Sequence, residues 1–415
     1  VSAYKYLIIG GGIAGTTAAE NIRARDTEGS IAIISDEPYP FYSRVLLSKP
    51  PFLTGAQPYE SVWMKKPEWY VENRIIFHGG RSAEKLDPEK KIVTLDGGEE
   101  FFYEKLLLAT GVHNRPWLVP GSEKKGIHYL RTLDHAKAII NDLRGSEGKR
   151  AVMIGSACVS FEVAEILLGK GVHVTEVMRE RWYWEPSLSQ RESSIVEKHL
   201  TERGVEIIRE MEVAEVLGGE RVTGVRLKDG REIPCDMVFA FIGVVVPIQW
   251  LESSGIALDK AILCDEHMQT TLPDVWAAGD TARYKDVILD RQVLMGNWMN
   301  ARAQGEIAGK NMTGAHEHFE MVSFHSSHGF GNMINFIGYI SLRNVGEREV
   351  YRGNEASGKL GRFILQGGRI VGATNVNRTA EIATIVKLIK ERVDVSGRIG
   401  ELEDPNAELS NLLPK

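Results

Sequence analysis

The sequence predicts an α/β protein: two Rossmann-like βαβ units and a C-terminal α+β domain. Three observations carry that reading. A strand-like apolar run ends in a glycine turn at Gly10, and another does so at Gly155. Each turn opens onto a helix-like stretch followed by a second strand-like run. Residues 319–415 then read as shorter strands followed by one helix, a pattern of α+β type.

The first unit begins with Tyr6-Leu7-Ile8-Ile9 and continues Gly10-Gly11-Gly12-Ile13-Ala14-Gly15, a full GxGxxG. A helix is expected over 16–25 and a strand over 31–34, ending in Ser35-Asp36. In such a turn Gly10 makes the bend, Gly12 lets backbone N–H groups approach a pyrophosphate, and Gly15 lets helix pack on strand. The anion then sits at a helix N-terminus, and an acid further on takes ribose hydroxyls; Asp36 is placed for that. Strand, glycines, helix, strand and acid in order form a dinucleotide fingerprint, against the plainer reading of a tight βα turn with no ligand.

Residues 38–69 are irregular and rich in proline and aromatics. A hairpin is expected from 91–95, the turn 96–98 and 100–103, and a buried strand over 106–111. The prolines and glycine of 115–121 mark a domain crossing. The second unit has strand 151–154, the turn from Gly155, helix 161–168 and strand 173–177. Helix 189–203, a meander over 205–227 and a strand reaching 243 complete it. After Pro247 the chain is expected to return to the first domain, finishing it with 276–280 and helix 298–311. Strands at 333–339, 362–366 and 369–373 and a helix at 379–392 make the last domain. The expected boundaries are therefore 1–114 with 248–318, then 115–247, then 319–415.

At 415 residues, two or three domains are expected. A composition of 43% hydrophobic and 26% charged residues is that of a globular protein with large cores, and the net charge of -6 argues against nucleic acid as a partner. No apolar run approaches the ~18–20 residues of a membrane span. The first strand starts at once, leaving no room for a signal peptide, so a cytoplasmic location is expected. The cysteines, Cys158, Cys235 and Cys264, lie far apart. With no CxxC or CxxxxC, a dithiol redox centre of neighbouring cysteines is excluded, and no metal-ligand spacing is present.

Five segments occur in a familiar order: GGGIAG at 10–15, YSRVLLSK at 42–49, LLLATG at 106–111, VWAAGD at 275–280 and NWMNARAQG at 297–305. Over essentially its full length the chain resembles the flavoprotein reductases of the pyridine nucleotide–disulfide oxidoreductase superfamily. The nearest group lacks the redox disulfide: rubredoxin and ferredoxin reductases, the flavin module of assimilatory nitrite reductase, and apoptosis-inducing factor. The resemblance implies FAD in the first domain, NADPH or NADH in the second, and a C-terminal interface domain. It implies that Arg44 and Lys49 contact the flavin and its phosphates, that Gly279 and Asp280 serve the ribityl chain, and that Thr110, Gly111 and Trp298 belong to the FAD site. Lys49 also suits a reduced flavin, because a cation stabilises added negative charge. Plainer readings stand beside these: Arg44 and Lys49 as solvated loop residues, and Asp280 as a helix N-cap.

The second turn departs from the family. It reads Gly155-Ser156-Ala157-Cys158-Val159-Ser160, with a methyl where backbone meets pyrophosphate and a serine where helix packs on strand. Glu162 matches the glutamate that orients the nicotinamide carboxamide, and with Lys49 it forms the expected catalytic pair; the alternative is an ordinary N-terminal helical glutamate. Where NADH users carry an acid, the chain has Met178 followed by Arg179, Glu180 and Arg181. Arginines there suit a 2′-phosphate and hence NADPH, or are a solvated face. Trp182-Tyr183-Trp184 either stacks on a nucleotide, meets a protein, or packs between domains. Cys158 stands where the family often has an aromatic, either as a redox thiol or as a small buried residue. The family's FWSD is replaced by Phe324-His325-Ser326-Ser327, with His328 following. The histidines are either proton donors or structural.

The implied activity is transfer of electrons from NAD(P)H through flavin to a protein acceptor such as rubredoxin, ferredoxin or another redox subunit. Two alternatives stay open. One is the FAD subunit of a larger electron-transfer complex with a degenerate second site; the other is an NAD(P)H oxidase. Ser43 stands where a peroxidase would need a reactive cysteine. A homo-oligomer is compatible with either.

Overall fold

The computed structural model describes residues 2–340 and 346–414, and the chain divides into two compact units. The first comprises Val1–Ser43, Val62–His113 and Val244–Ser323. Its seven-stranded sheet runs Ile75–Gly79, Ile31–Ser35, Ser2–Ile9, Glu100–Leu108, Ile92–Leu95, Ala83–Asp87, with Val275–Ala277 also pairing Glu100–Leu108. The strands Ile75–Gly79, Ile31–Ser35, Ser2–Ile9, Glu100–Leu108 and Val275–Ala277 form its parallel part, and Tyr6–Ile9 is buried throughout, as a strand covered on both faces must be. Residues 100–108 form one strand rather than two. Its first half pairs antiparallel with the hairpin strand Ile92–Leu95 and its second half pairs with Val275–Ala277.

Helix Ile13–Arg25 packs on helix Trp298–Met312 through small residues. A Cβ on Gly305 would lie 2.2 Å from the Ala14 carbonyl oxygen, and one on Gly309 2.6 Å from that of Ala18. The glycines set how closely the two helices approach.

The second unit comprises Arg44–Ser61, Asn114–Gly243 and Phe324–Lys415. A parallel sheet runs Glu206–Ile208, His173–Val177, Arg150–Ile154, Met237–Ala240, Ile127–His128. A five-stranded antiparallel sheet runs Phe324–Gly329, Asn332–Gly338, Arg369–Val376, Lys359–Gln366, Glu347–Asn354. Helix Gln190–Glu202 starts in a capping box, with the Ser189 N–H donating to Glu192 at 3.0 Å and the Glu192 N–H to Ser189 Oγ at 3.3 Å. The same Glu192, fully buried, pairs with buried Arg362 of the antiparallel sheet at 3.2 Å. Arg362 also donates to Glu349 and to the Ser187 carbonyl. A buried pair is tolerated only when its remaining donors are satisfied, and these are.

Candidate functional site

Both parallel sheets place a glycine at the carboxyl end of their central strand, where the chain order reverses and ligands enter α/β sheets. Gly10 has φ +124°, and a Cβ there would stand 2.0 Å from the Ala109 carbonyl oxygen. Gly15 is equally constrained, its hypothetical Cβ lying 2.0 Å from the Gly10 oxygen. Gly12 is different. Its φ is -77°, open to any residue, and a Cβ there would meet nothing within 4 Å. The chain's own packing therefore demands Gly10 and Gly15 but not Gly12. Gly12 is also the N-cap of helix Ile13–Arg25, and no side chain caps it. An uncapped N-terminus facing open space fits the pyrophosphate of a dinucleotide.

Around this turn the first unit gathers several predicted residues. Gly10, Asp36 and Thr110 line one cleft together with Arg81, His113 and Trp250. Asp36 is half exposed, 3.4 Å from His113 Nε2. Thr110 donates to Thr281 at 3.3 Å, and Gly111 turns the chain at φ +66°. Gly279 lies against the first turn of helix Ile13–Arg25: its N–H donates to Gln304 Oε1 at 2.8 Å, and a Cβ would reach that of Ala14 at 3.2 Å. Gly296 gives Asp280 room, since a Cβ there would be 2.9 Å from Oδ1. Trp298 opens helix Trp298–Met312 and stacks on Phe41 at 5.8 Å. Arg81, His113 and Trp250 escaped the sequence reading, because they come from three separate segments with no shared spacing.

The second turn repeats the geometry at its first glycine only. Gly155 has φ +98°, with a Cβ position 2.4 Å from the Phe241 carbonyl oxygen. Ala157 caps helix Cys158–Gly169 in extended backbone, so its methyl causes no strain. Ser160 is fully buried, and its Oγ accepts the Ala157 N–H at 2.7 Å and donates to the Ala157 carbonyl at 2.8 Å.

One turn further along the helix, Glu162 is held by three donors. Lys49 Nζ lies 2.7 Å from Oε1, Ser327 Oγ 3.2 Å from Oε1, and Ser48 Oγ 2.5 Å from Oε2. The carboxylate is 10% exposed and the lysine 34%. Sequence spacing places Lys49 and Glu162 113 positions apart, and folding makes them an ion pair. A carboxylate has about four lone-pair sites, so one remains for an amide N–H. Ser48 and Ser327 were missed as members of this group. Ser327 stands in the departure from FWSD; strand Phe324–Gly329 alternates, turning Ser327 inward beside two more exposed neighbours. Arg44, in the short 3-10 turn Arg44–Ser48, donates to the Arg131 carbonyl at 2.8 Å.

Other open readings narrow. Burial, with Glu162 nearby, pushes the Cys158 thiol up to about 12, so it is the protonated, unreactive form. His325 stacks on Phe336 at 4.7 Å, and burial lowers it to about 4, leaving a neutral imidazole with no proton to give as an acid. Tyr183 and Trp184 are buried; Trp184 packs on Phe161 and Phe336, between helix and antiparallel sheet. Arg179 is 78% exposed and bonds Glu180 at 2.9 Å, and Arg181 pairs with Glu185. Among the described residues, no helix is long and apolar enough to cross a membrane.

Comparison with known proteins agrees with this geometry. Residues 4–305 match the pyridine nucleotide-disulphide oxidoreductase family, and residues 327–413 match the reductase C-terminal family. The ferredoxin–NAD(+) reductase component of the biphenyl dioxygenase system of Paraburkholderia xenovorans is 31% identical over 407 residues, covering 98% of this chain and 97% of that protein. The epsilon subunit of NADH-dependent phenylglyoxylate dehydrogenase of Aromatoleum evansii is 28% identical over 94% of this chain and 93% of its own length. Among solved structures, the covalent putidaredoxin reductase–putidaredoxin complex aligns with a TM-score of 0.91 at 28% identity, over 99% of this chain and 98% of that one. The chain belongs to the pyridine nucleotide-disulphide oxidoreductase family, among its FAD-dependent reductases of ferredoxin-reductase type.

Proposed function

We propose that the protein is an FAD-dependent NADH:acceptor oxidoreductase that delivers electrons to an iron–sulfur protein or rubredoxin. The observation that carries this reading is the pairing, in one chain, of an open glycine cradle at Gly12 with a second strand–turn–helix bearing a fixed carboxylate at Glu162. We assign 1–114 with 248–318 to FAD binding, 115–247 to the pyridine nucleotide, and 319–415 to the interface domain. FAD, when bound, supplies exchange between a two-electron hydride donor and a one-electron acceptor. The backbone at Gly12 and the N-terminus of helix Ile13–Arg25 receive its pyrophosphate, and Asp36 accepts ribose hydroxyls. Gly279, Asp280, Thr110, Gly111 and Trp298 complete that side, and the family resemblance adds Arg44 and Lys49. Glu162 accepts the carboxamide N–H of the nicotinamide, and Lys49, Ser48 and Ser327 hold its orientation.

NADH rather than NADPH is favoured by the charges at the end of strand His173–Val177. Arg179 and Arg181 are each matched by a neighbouring glutamate, which leaves little net attraction for a 2′-phosphate. The names of the two sequence relatives also specify NAD(+) and NADH. Three unpaired cysteines agree with a reducing compartment, and we place the reaction in the cytoplasm. The filled second turn supports one further reading, an FAD subunit of a larger complex that receives electrons from a protein instead. Anaerobic mixing of the FAD-loaded protein with NADH and, separately, NADPH decides. Fast loss of flavin absorbance with NADH is expected. No loss with either nucleotide, with dithionite still reducing the flavin, overturns the NADH reading in favour of the subunit.

A further inference from the structure

A run of buried polar groups lies beneath the second nucleotide turn. Glu176 sits on strand His173–Val177, fully buried, in a sheet position whose cross-strand neighbours are Met153 and Ile207. Its Oε1 is 3.2 Å from Tyr183 Oη, and its Oε2 has no hydrogen-bond partner among the described residues. Tyr183 Oη is in turn 3.5 Å from Ser160 Oγ, which grips both the N–H and the carbonyl of Ala157. The adjoining Trp184 N–H donates to Ser156 Oγ at 3.4 Å. Both serines of the turn are thus tied to the segment beneath them.

The protonation state of Glu176 sets the direction of this chain. As a neutral acid, Glu176 donates to Tyr183 Oη, which frees the phenol O–H for Ser160 Oγ, and Ser160 donates to the Ala157 carbonyl. As an anion it draws the Tyr183 O–H to itself, and Ser160 Oγ loses the hydrogen bond from Tyr183, keeping only the one from the Ala157 N–H. We propose that Glu176 is a positioning residue that, as a neutral acid acting through Tyr183 and Ser160, holds the backbone of the second turn for a pyridine dinucleotide. This rests on the nucleotide reading of that turn given above.

Burial raises Glu176 from the usual carboxylate range to about 8, and raises Tyr183 well above its ordinary value. The other ionisable groups facing the chain are few. Cys158 is pushed up to about 12 and stays neutral. Glu197, from helix Gln190–Glu202, accepts the Tyr183 N–H at 2.7 Å and is paired with Arg209 at 2.7 Å. The neutral acid therefore prevails near pH 7, and its loss as pH rises through about 8 weakens nucleotide binding.

The test is titration calorimetry of the oxidised, FAD-loaded protein with NAD(+), which binds without reducing the flavin, from about pH 6.5 to about pH 9.5. Wild type is expected to lose roughly tenfold in affinity across that range. Glu176→Gln, a neutral isostere able to donate to Tyr183, is expected to bind tightly at every pH. Tyr183→Phe is expected to bind weakly at every pH. In the infrared spectrum, a protonated-carboxyl band should vanish from wild type near pH 8 and be absent from Glu176→Gln. Matching pH profiles for wild type and Glu176→Gln, both binding, overturn the proposal alone. No heat with NAD(+) or NADP(+) at any pH, in protein that retains FAD, overturns the nucleotide reading and the proposal with it.

Discussion

The two glycine turns occupy the same place in their respective sheets, yet they solve the same problem differently. Gly10 and Gly155 both face the carbonyl oxygen of the residue just past the neighbouring strand, Ala109 in one and Phe241 in the other, at distances that no Cβ tolerates. Beyond that point they diverge. In the first turn Gly15 meets the Gly10 carbonyl so closely that a side chain is impossible, and Gly12 opens onto empty space. In the second, a serine occupies the position equivalent to Gly15, and its hydroxyl ties down the helix cap. A GxGxxG pattern therefore mixes glycines that the chain needs for its own geometry with one that its packing does not require. The second turn keeps only the glycine of its first position, and carries Ala157 and Ser160 at the other two, joined by hydrogen bonds between the serine hydroxyl and the Ala157 backbone.

That contrast can be broken most severely at the first turn. Gly10→Ala is expected to abolish folding of the first unit, because its methyl would overlap the Ala109 carbonyl. Gly12→Val, by contrast, should fold and lose FAD. Circular dichroism with flavin content per chain separates the two outcomes, and a Gly12→Val protein with full FAD would show that the cradle does not receive the cofactor. A smaller effect is expected at the carboxylate cluster of the second unit. Glu162→Gln should slow flavin reduction by NADH by roughly 10²-fold in stopped flow. Ser327→Ala should slow it less, since Lys49 and Ser48 still hold the group. Equal rates for wild type and Glu162→Gln would remove Glu162 from the mechanism. The smallest change is expected at Arg179→Ala, less than about twofold in affinity for either NADH or NADPH, because the arginine is exposed and already paired with the adjacent carboxylate. A selective loss of roughly tenfold for NADPH would instead assign that arginine to a 2′-phosphate.

Much of the architecture was legible in local pattern. The apolar run before Gly10, the full GxGxxG and the acid at Asp36 define a strand, a turn, a helix and a second strand, since each signal acts within a few residues. Strand His173–Val177 and the capped helix Gln190–Glu202 were readable for the same reason. The single strand Glu100–Leu108 was not, because its two halves face different partners and only pairing joins them. The sequence by itself determined the fold class, the position of the dinucleotide turns and the absence of a neighbouring dithiol. Those properties follow from short-range spacing and residue type. Tertiary structure alone decided that Lys49, Ser48 and Ser327 converge on Glu162, and that Arg179 is answered by Glu180. It alone also decided that Glu176 is sealed beneath the second turn with one oxygen unpartnered among the described residues. Charge, protonation and acceptor capacity depend on distances and burial among residues far apart in the chain, and those come into being only when it folds.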